Sequence, residues 1–576
     1  MKRNWTLVRK KYIEYLISTM AFSLSIYLAV IVDGILVGRL LGPKPFSAIN
    51  MTMPVVYIKN IVFSLYIYGA TTMVSQFLGS RDKKNCNAVY SLAIKMGTLS
   101  SSLLAAAGMI LAAPTAAFLS RNTTLYTEVY EYLIPLWVVG PLVVLSSGSA
   151  AFLRLEGKHK LATALPVTAN AVNLCCDYIF IKWFGLGIAG AGWATVTGYA
   201  FSLVLLIPHF KDKNRQLYLT RLSVKDLKRI PECFKVGLPI ALIHACNVLR
   251  FYSINTIVAS KLGDSGSQVI SVCNSSINYA TMLAEGAATA MSNVCGTLYG
   301  ERDRKGIGAV LRFAATIAGT ACIVIFALLE LFPQGFAMIY KVSDPETLSL
   351  IGVYLRLYSV YVLFLGPVYL FRCFYQSTKQ PGAATLLSAL EGAVFLVPLF
   401  YGFSMISPAV MWLANSASAL LALVTVIAYM SYRAGREGFT GFLMLNRKDD
   451  KDETREFSIS CTEKDAVSAS EYVGDFLKGK GLSSKIEEAM MVSAEELCVN
   501  IARFAGLNSR SQIDLFLRIT DDCVLLKVRD TGKPFNPVEF IGEKGEHITG
   551  LSLIRSLGCT IEYDRIIGFN TTIVSI

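Results

Sequence analysis

Long apolar stretches alternate with short polar loops along the first 432 residues of the chain. Each stretch can cross a hydrocarbon layer of roughly 30 Å, which requires about 20 helical residues. The pattern therefore predicts an all-α polytopic membrane region with twelve transmembrane helices. We place these helices at 12–38, 46–78, 88–119, 126–153, 161–182, 187–208, 232–260, 266–298, 307–332, 348–375, 383–403 and 408–432.

The last part of the chain has a different pattern. Residues 439–455 are charged and aperiodic, which predicts a linker. Between 456 and 576, runs with strand alternation are separated by runs with amphipathic helical periodicity, so this part is predicted to fold as an α/β sandwich. We place strands at 455–461, 512–520, 523–529, 560–566 and 571–576, and helices at 465–480, 485–504 and 550–557.

Composition and charge support a membrane protein. Of the 576 residues, 53% are hydrophobic and only 16% are charged, whereas soluble domains carry about a quarter charged residues. The net charge of +13 does not indicate a nucleic-acid partner, because the excess Lys and Arg lies in short loops between apolar stretches. The more basic loops, such as 81–84 and 154–160, fall on one side of the predicted membrane region, which places both termini and the C-terminal domain in the cytoplasm.

The membrane region repeats itself. A shift of 221 residues lays Gly-Ser-Arg-Asp-Lys-Lys at 79–84 on Gly-Glu-Arg-Asp-Arg-Lys at 300–305. Two six-helix repeats follow, an N-lobe at 1–222 and a C-lobe at 223–438. Secondary transporters are commonly built from such parallel repeats, with the substrate cavity between the halves. The duplication alone leaves a channel or a receptor open.

Two carboxylates lie at predicted membrane depth. Asp33 and Asp177 interrupt apolar stretches, and an ionisable group in that setting by default marks an ion or proton pathway. Asn173 and Asp177 are four residues apart on one helix face, and Thr195 on the next helix completes a predicted polar cluster. The structural alternative is that Asp33 pairs with a basic neighbour such as Arg39.

Several small-residue motifs resemble those of one transporter family. Asp-Gly-Ile-Leu-Val-Gly at 33–38, Asn-Leu-Cys-Cys-Asp-Tyr-Ile-Phe at 173–180 and the Gly/Ala-rich stretch 185–195 are similar to the motifs of multidrug and toxic compound extrusion (MATE) transporters. The resemblance implies an antiporter that exports amphipathic, cationic small molecules in exchange for H⁺ or Na⁺. It also places Asp33, Asn173, Asp177 and Thr195 in an N-lobe cation site, where ion binding bends the first helix.

The C-terminal domain resembles the GHKL ATPase fold, and anti-sigma-factor serine kinases in particular. The resemblance rests on Glu-Glu-Leu-Cys-Val-Asn at 495–500, Asp-Thr-Gly-Lys-Pro-Phe-Asn-Pro at 530–537 and Gly-Leu-Ser-Leu-Ile at 550–554. It implies that Asp530 accepts a hydrogen bond from the adenine amino group, aided by Thr571. The other implied roles are Mg²⁺ binding by Asn500, general-base chemistry by Glu496, and nucleotide contacts through Gly532 and Gly550.

These expectations combine into one leading hypothesis and two rivals. The leading hypothesis is a cation-coupled exporter of small molecules in the lipid bilayer, with a cytoplasmic ATP-binding domain that regulates it or signals from it. The first rival is a transporter-shaped sensor that controls serine-kinase activity toward a partner, such as an anti-anti-sigma-like protein. The second is a flippase for a lipid-linked substrate. ATP is not expected to power transport, because no GxxxxGK[ST] motif occurs.

Overall fold

The structure is a computed structural model. It describes residues 3–41, 48–49, 51–120, 125–213, 215–339, 345–448, 453–520, 523–534, 536 and 554–576, with residues 26–39 and several residues of 251–271 described by their helical backbone alone. The chain divides into two compact units. One contains Tyr12–Glu437 and Gly441–Met444, and the other contains Met1–Lys11, Gly438–Thr440 and Leu445–Ile576.

The first unit is helical. Its helices are α1 (Thr6–Leu40, whose first turns belong to the second unit), α2 (Met53–Phe63), α3 (Gly69–Gly79), α4 (Lys83–Ile110), α5 (Ala112–Ser120), α6 (Tyr126–Leu155), α7 (His159–Tyr178), α8 (Gly187–Ser202), α9 (Ile207–Lys211), α10 (Val224–Leu227), α11 (Ile230–Gly300), α12 (Arg304–Leu331), α13 (Pro333–Ile339), α14 (Pro345–Ser359), α15 (Val362–Ser377), α16 (Pro381–Ala389), α17 (Leu396–Ile406) and α18 (Ala414–Arg436). Short π-helical turns at Ser64–Tyr68, Ile179–Trp183 and Leu390–Val394 and 3₁₀ turns at Leu203–Leu206 and Val410–Leu413 join several of them.

Within the described residues, ten helical segments are long and apolar enough to cross a membrane. They lie close to the stretches predicted from hydropathy. For example, the observed segment Tyr126–Leu155 corresponds to the predicted helix 126–153, and Arg304–Leu331 corresponds to 307–332. The ten do not include α1 or the part of α11 after Arg250; the side chains of residues 26–39 and of several residues of 251–271 fall outside the described part of the chain. The membrane fold is confirmed, and the number twelve stays a prediction.

One boundary differs from the prediction. The pattern predicts two helices, 232–260 and 266–298, whereas the backbone is helical without a break from Ile230 to Gly300, a length of 71 residues. The predicted loop at 261–265 contains Gly263 but no proline. A glycine weakens a helix without removing a backbone hydrogen bond, so the helix can continue through this stretch.

The internal repeat is visible in the backbone. Arg81 and Arg302 both adopt a positive φ, 60° and 58°, which is unusual for residues other than glycine. In each copy the following aspartate caps the next helix: Asp82 accepts from the backbone N–H of Asn85, and Asp303 accepts from that of Gly306. The equivalent loops therefore turn in the same way, and each turn ends in an N-cap that satisfies one free amide of the helix end.

The helices α3 and α11 approach each other through the glycines of the two repeat motifs. A Cβ atom at Gly79 would lie 2.1 Å from the carbonyl oxygen of Thr297, and one at Gly300 would lie 2.2 Å from that of Gln76. Both distances are far below van der Waals contact with a backbone atom. The close packing of these two helices thus depends on the absence of side chains at both positions.

Gly300→Ala is therefore expected to destabilise the helical unit. The added methyl group must push α3 and α11 apart, and overpacking of this kind typically costs about 1–3 kcal/mol. Gly308→Ala in α12 is the matched control, because a Cβ atom there has no neighbour within 4 Å. The control should be neutral or gain up to about 1 kcal/mol from helix propensity. Thermal unfolding of the purified protein in detergent measures the difference, and equal melting temperatures for both variants would contradict the packing argument.

The second unit contains a five-stranded antiparallel sheet of order β1-β2-β3-β5-β4. The strands are β1 (Glu453–Ser460), β2 (Gln512–Ile519), β3 (Val524–Asp530), β4 (Thr560–Ile566) and β5 (Phe569–Ser575), and the helices are α19 (Glu463–Leu477) and α20 (Ser484–Phe504). These elements match the predicted strands and two of the predicted helices. The third predicted helix, 550–557, is described only from residue 554 onward. Gly550 lies outside the described residues.

The core of this unit lies between one face of the sheet and the two helices. Phe457, Leu515 and Leu526 from the strands pack with Val473 and Leu497 from the helices, and all five are at most 2% exposed. Side chains alternate across a strand, so Glu456, Ser458, Asp514 and Phe516 project from the opposite face. The layering positions the end of β3 beside the C-terminal half of α20.

Candidate functional site

The predicted N-lobe cluster forms at the α7–α8 contact. The Asn173 side-chain amide donates to Asp177 Oδ1 at 3.5 Å and to Thr195 Oγ1 at 3.2 Å. The Thr195 hydroxyl donates its hydrogen to the carbonyl of Ala191, so the Thr195 Oγ1 atom is the acceptor in its bond with Asn173. Asp177 is fully buried and Asn173 is 8% exposed. Three of the four residues predicted for ion coupling are thus brought together.

Two local features position this cluster. The four-residue spacing places Asn173 and Asp177 one above the other on α7. Small residues in α8 let the two backbones approach: a Cβ atom at Gly198 would lie 2.3 Å from the carbonyl oxygen of Ala169. Directly after Asp177 and Tyr178 the helix widens into the π-helical turn Ile179–Trp183, a distortion that is often found at functional sites.

The fourth predicted residue, Asp33, lies on α1, where the structure describes only the backbone. Whether its carboxylate joins Asn173 and Asp177 therefore stays a prediction, and so does the alternative pairing with Arg39.

A second buried polar group lies in the C-lobe and was not identified as a site from the sequence. Glu391, in the π-helical turn Leu390–Val394, is 6% exposed and accepts a 2.6 Å hydrogen bond from the Tyr361 hydroxyl. Ser418 donates to its backbone carbonyl. Arg250 donates to the Asn415 side chain at 3.2 Å. The sequence signal for this site is a single Glu in an apolar run. The hydropathy pattern does not show that Tyr361 is its hydrogen-bond partner.

The candidate nucleotide site is built around Asp530 at the end of β3. Its side chain is 3% exposed, and Oδ1 accepts from the backbone N–H of Gly532 at 2.6 Å and from the side chain of Asn570 at 2.9 Å. Burial raises the pKa of this carboxyl, while the two hydrogen bonds lower it. Among the described residues, no donor bonds Oδ2, which leaves this oxygen to accept from a ligand.

Asn570 has a role that motif reasoning did not find. It is paired with Asp530 across the β3–β5 ladder, and besides Asp530 it donates to the carbonyl of Lys533 at 2.9 Å. Its own oxygen accepts from Tyr563 and Arg565. Asn570 therefore orients Asp530 and the start of the loop after β3. The predicted Thr571 follows it, 1% exposed.

The other predicted residues lie on α20. Glu496 and Asn500 are one turn apart, as their spacing required. Asn500 is 7% exposed, and its Nδ2 has no hydrogen-bond partner among the described residues. A buried amide without a partner is costly, so this group fits a role toward a ligand or a hydrated ion. Burial, together with neighbouring Glu495, raises the pKa of Glu496, a direction that suits a general base.

With this geometry in place, comparison with known proteins identifies the helical unit. The MatE family model matches residues 19–179 and 239–401, more than half of the chain. The chain belongs to the MATE family. A second family model, the histidine kinase-like ATPase domain, matches residues 459–576. This MATE protein therefore carries an ATPase-like domain at its C-terminal end, and both sequence resemblances are confirmed.

Relatives of this MATE protein are exporters by name. The multidrug export protein MepA of Staphylococcus aureus (strain bovine RF122 / ET3-1) is 23% identical over 393 residues, which cover 67% of this chain and 86% of MepA. The probable multidrug resistance protein NorM of Chromobacterium violaceum is 24% identical over 351 residues, which cover 58% of this chain and 72% of NorM.

Solved structures show the same fold. The crystal structure of MATE in complex with MaL6 superimposes with a TM-score of 0.67 at 21% identity and covers 76% of this chain and 99% of that one. A structure titled as the outward-facing conformation of a multidrug resistance MATE family transporter gives the same values. The chain is therefore a multi-pass membrane protein with a MATE-like helical fold.

Proposed function

We propose that this MATE protein is an H⁺- or Na⁺-coupled exporter of amphipathic, cationic small molecules, with its termini in the cytoplasm. The observation that carries the proposal is the fully buried Asp177, linked through Asn173 to Thr195 between two membrane helices. The names of the relatives, multidrug export and multidrug resistance proteins, support the substrate class.

The coupling chemistry follows from the groups in this cluster. A carboxylate held in an apolar bundle gains a neutralising proton or cation at a large energetic advantage. The Asn173 amide holds Asp177 Oδ1, and the Thr195 hydroxyl oxygen lies on the other side of that amide. We infer that Asp33 on α1 shares the ion with Asp177. Ion uptake would then change the interactions of α1 with α7 and α8.

The C-terminal domain is proposed to bind ATP with Mg²⁺ and to regulate the exporter. Asp530 would anchor the adenine amino group through Oδ2, and the loop at Gly532 would contact the nucleotide. Thr571 is paired with Arg529 and projects from the opposite face of the sheet, so its part in adenine binding is proposed by resemblance alone. Asn500 would hold Mg²⁺, and Glu496 would orient a hydroxyl or water for phosphoryl transfer. The Mg²⁺ ion would neutralise phosphate charge. Gly550 is proposed to contact phosphate by resemblance alone.

Transport in proteoliposomes tests the exporter proposal. The full chain is reconstituted, a pH gradient or a sodium gradient is imposed separately, and the movement of a panel of cationic dyes is followed. Movement driven by one gradient and abolished by the matching ionophore is the expected result. Dye movement that follows neither gradient would contradict cation coupling, and the absence of any dye movement would favour the sensor.

A chain truncated after Leu445 should still transport. The truncation removes the ATPase-like domain but keeps the helices and the Asn173–Asp177–Thr195 cluster, which are proposed to use the ion gradient directly. Gradient-driven dye movement should therefore persist, while any effect of ATP·Mg²⁺ disappears. The full chain and the Asp177→Asn variant of the truncated chain are assayed beside it. Complete loss of transport in a truncated protein that remains monodisperse would show that the domain is required.

A further inference from the structure

The N-terminal residues of the chain pack on the C-terminal sheet. Arg3 to Lys11 belong to the same compact unit as residues 445–576, although they are more than 430 positions away in sequence. They cover part of the sheet face opposite α19 and α20. We call this surface the docking face and define it by Glu456, Ser458, Asp514, Phe516 and Phe569.

Arg3 provides the central contact. Its Nε lies 3.3 Å from Asp514 Oδ2 and its Nη1 lies 3.2 Å from Glu456 Oε2. The guanidinium also lies over the Phe516 ring at 4.3 Å and over its own neighbour Trp5 at 4.5 Å. The side chains of Arg3 and Asp514 are 3% and 0% exposed. A buried pair of this kind is specific, because the loss of one partner removes a charge that offsets the desolvation of the other.

The backbone of the segment is also held. The Asn4 N–H donates to Ser458 Oγ at 2.8 Å, and Ser458 in turn donates to Asp514 Oδ1 at 2.7 Å. Asp514 therefore receives hydrogen bonds from Arg3 and from the serine that holds Asn4. These two contacts fix both the position and the direction of the segment on β1 and β2.

The other end of the segment contacts β5 at the residue before Asn570. Lys11 is 8% exposed, and its ammonium lies 5.8 Å from the centre of the Phe569 ring. The next residue, Asn570, orients Asp530 through a 2.9 Å hydrogen bond. The residue that contacts Lys11 and the residue that orients the proposed adenine anchor are therefore adjacent in β5, on opposite faces of the sheet.

We propose that Arg3–Lys11 is a built-in docking element for the ATPase-like domain, through which the nucleotide state acts on α1. Because α1 is one continuous helix from Thr6 to Leu40, its first turns are held on the docking face while its later turns carry Asp33. A nucleotide-dependent shift of Asn570 and Phe569 then changes how firmly the start of α1 is held. The regulatory part of this inference rests on the proposed function, whereas the docking does not.

Hydrogen–deuterium exchange on the full chain in lipid nanodiscs tests the docking. Arg3→Ala should speed exchange of peptides from β1 and β2 by about tenfold or more, because Asp514 and Glu456 lose their ion pairs with Arg3. Arg3→Lys should recover part of the protection. Lys10→Ala is the matched control, since Lys10 is an exposed base in the same segment, and it should leave exchange unchanged. Equal exchange in Arg3→Ala and wild type would overturn the docking.

The same samples with and without ATP·Mg²⁺ test the coupling. In the wild type the nucleotide should change exchange at the start of α1, and in Arg3→Ala this response should vanish. A response that persists in Arg3→Ala, or no response in the wild type, would overturn the coupling. This readout needs no transport. Failure of the exporter proposal would instead appear as an absence of gradient-driven dye movement in every variant, with the exchange result unaffected.

Discussion

Asp177→Asn is expected to abolish gradient-driven export. The amide keeps the size of the carboxylate and can still bond Asn173, but it can neither take up a proton nor neutralise a sodium ion. One coupled charge across 100 mV supplies about 2.3 kcal/mol, which corresponds to a ~50-fold concentration ratio of substrate. Proteoliposomes with an imposed gradient should therefore show dye movement at the level of empty liposomes, while dye binding to the purified variant remains measurable.

Asp33→Asn should have the same effect, and the double variant should be no worse than either single variant. Two carboxylates that share one ion titrate as a pair, so their losses do not add. Asp226→Asn, in the surface helix Val224–Leu227, is the control for the substitution itself and should transport normally. Gradient-driven export that survives Asp177→Asn would rule out this residue as the coupling group.

Asp530→Ala is expected to remove most of the ATP affinity of the C-terminal domain. The substitution deletes the proposed acceptor for the adenine amino group, and it also frees the N–H of Gly532 and the amide of Asn570, which both bond Oδ1. Losing a hydrogen bond to a charged group costs roughly 1.5–3 kcal/mol, or ~10–150-fold in affinity. Calorimetric titration of ATP·Mg²⁺ into the full chain in detergent measures the change.

Glu496→Ala is the control for this titration. Glu496 is proposed to act in phosphoryl transfer and not in binding, so its variant should bind ATP·Mg²⁺ as the wild type does while any phosphoryl transfer stops. If the wild type itself does not bind ATP at millimolar concentration, the domain has the ATPase-like fold but has lost nucleotide binding. In that case Asn570, which already donates to Asp530, is the first residue to replace.

Much of the architecture could be predicted from the sequence because the relevant signals are local. A membrane helix is a long uninterrupted apolar run, so the ends of Tyr126–Leu155 and Arg304–Leu331 lie within a few residues of their predicted positions. The contact between Asn173 and Asp177 follows from their spacing on a helix. The repeated Arg-Asp motif predicted a duplicated membrane region, and Arg81 and Arg302 in its two copies adopt nearly equal positive φ angles.

Other features depend on which distant segments meet, and only the tertiary structure decided them. Asn570 lies outside the motifs that carry the resemblance, but the register of β3 against β5 pairs it with Asp530. Tyr361 reaches Glu391 from the turn between α14 and α15, and Arg3 contacts Asp514 across 511 positions of the chain. Hydropathy and periodicity report how one segment faces its surroundings. They carry no information on which segment lies opposite, because that choice is made by the packing of the whole unit.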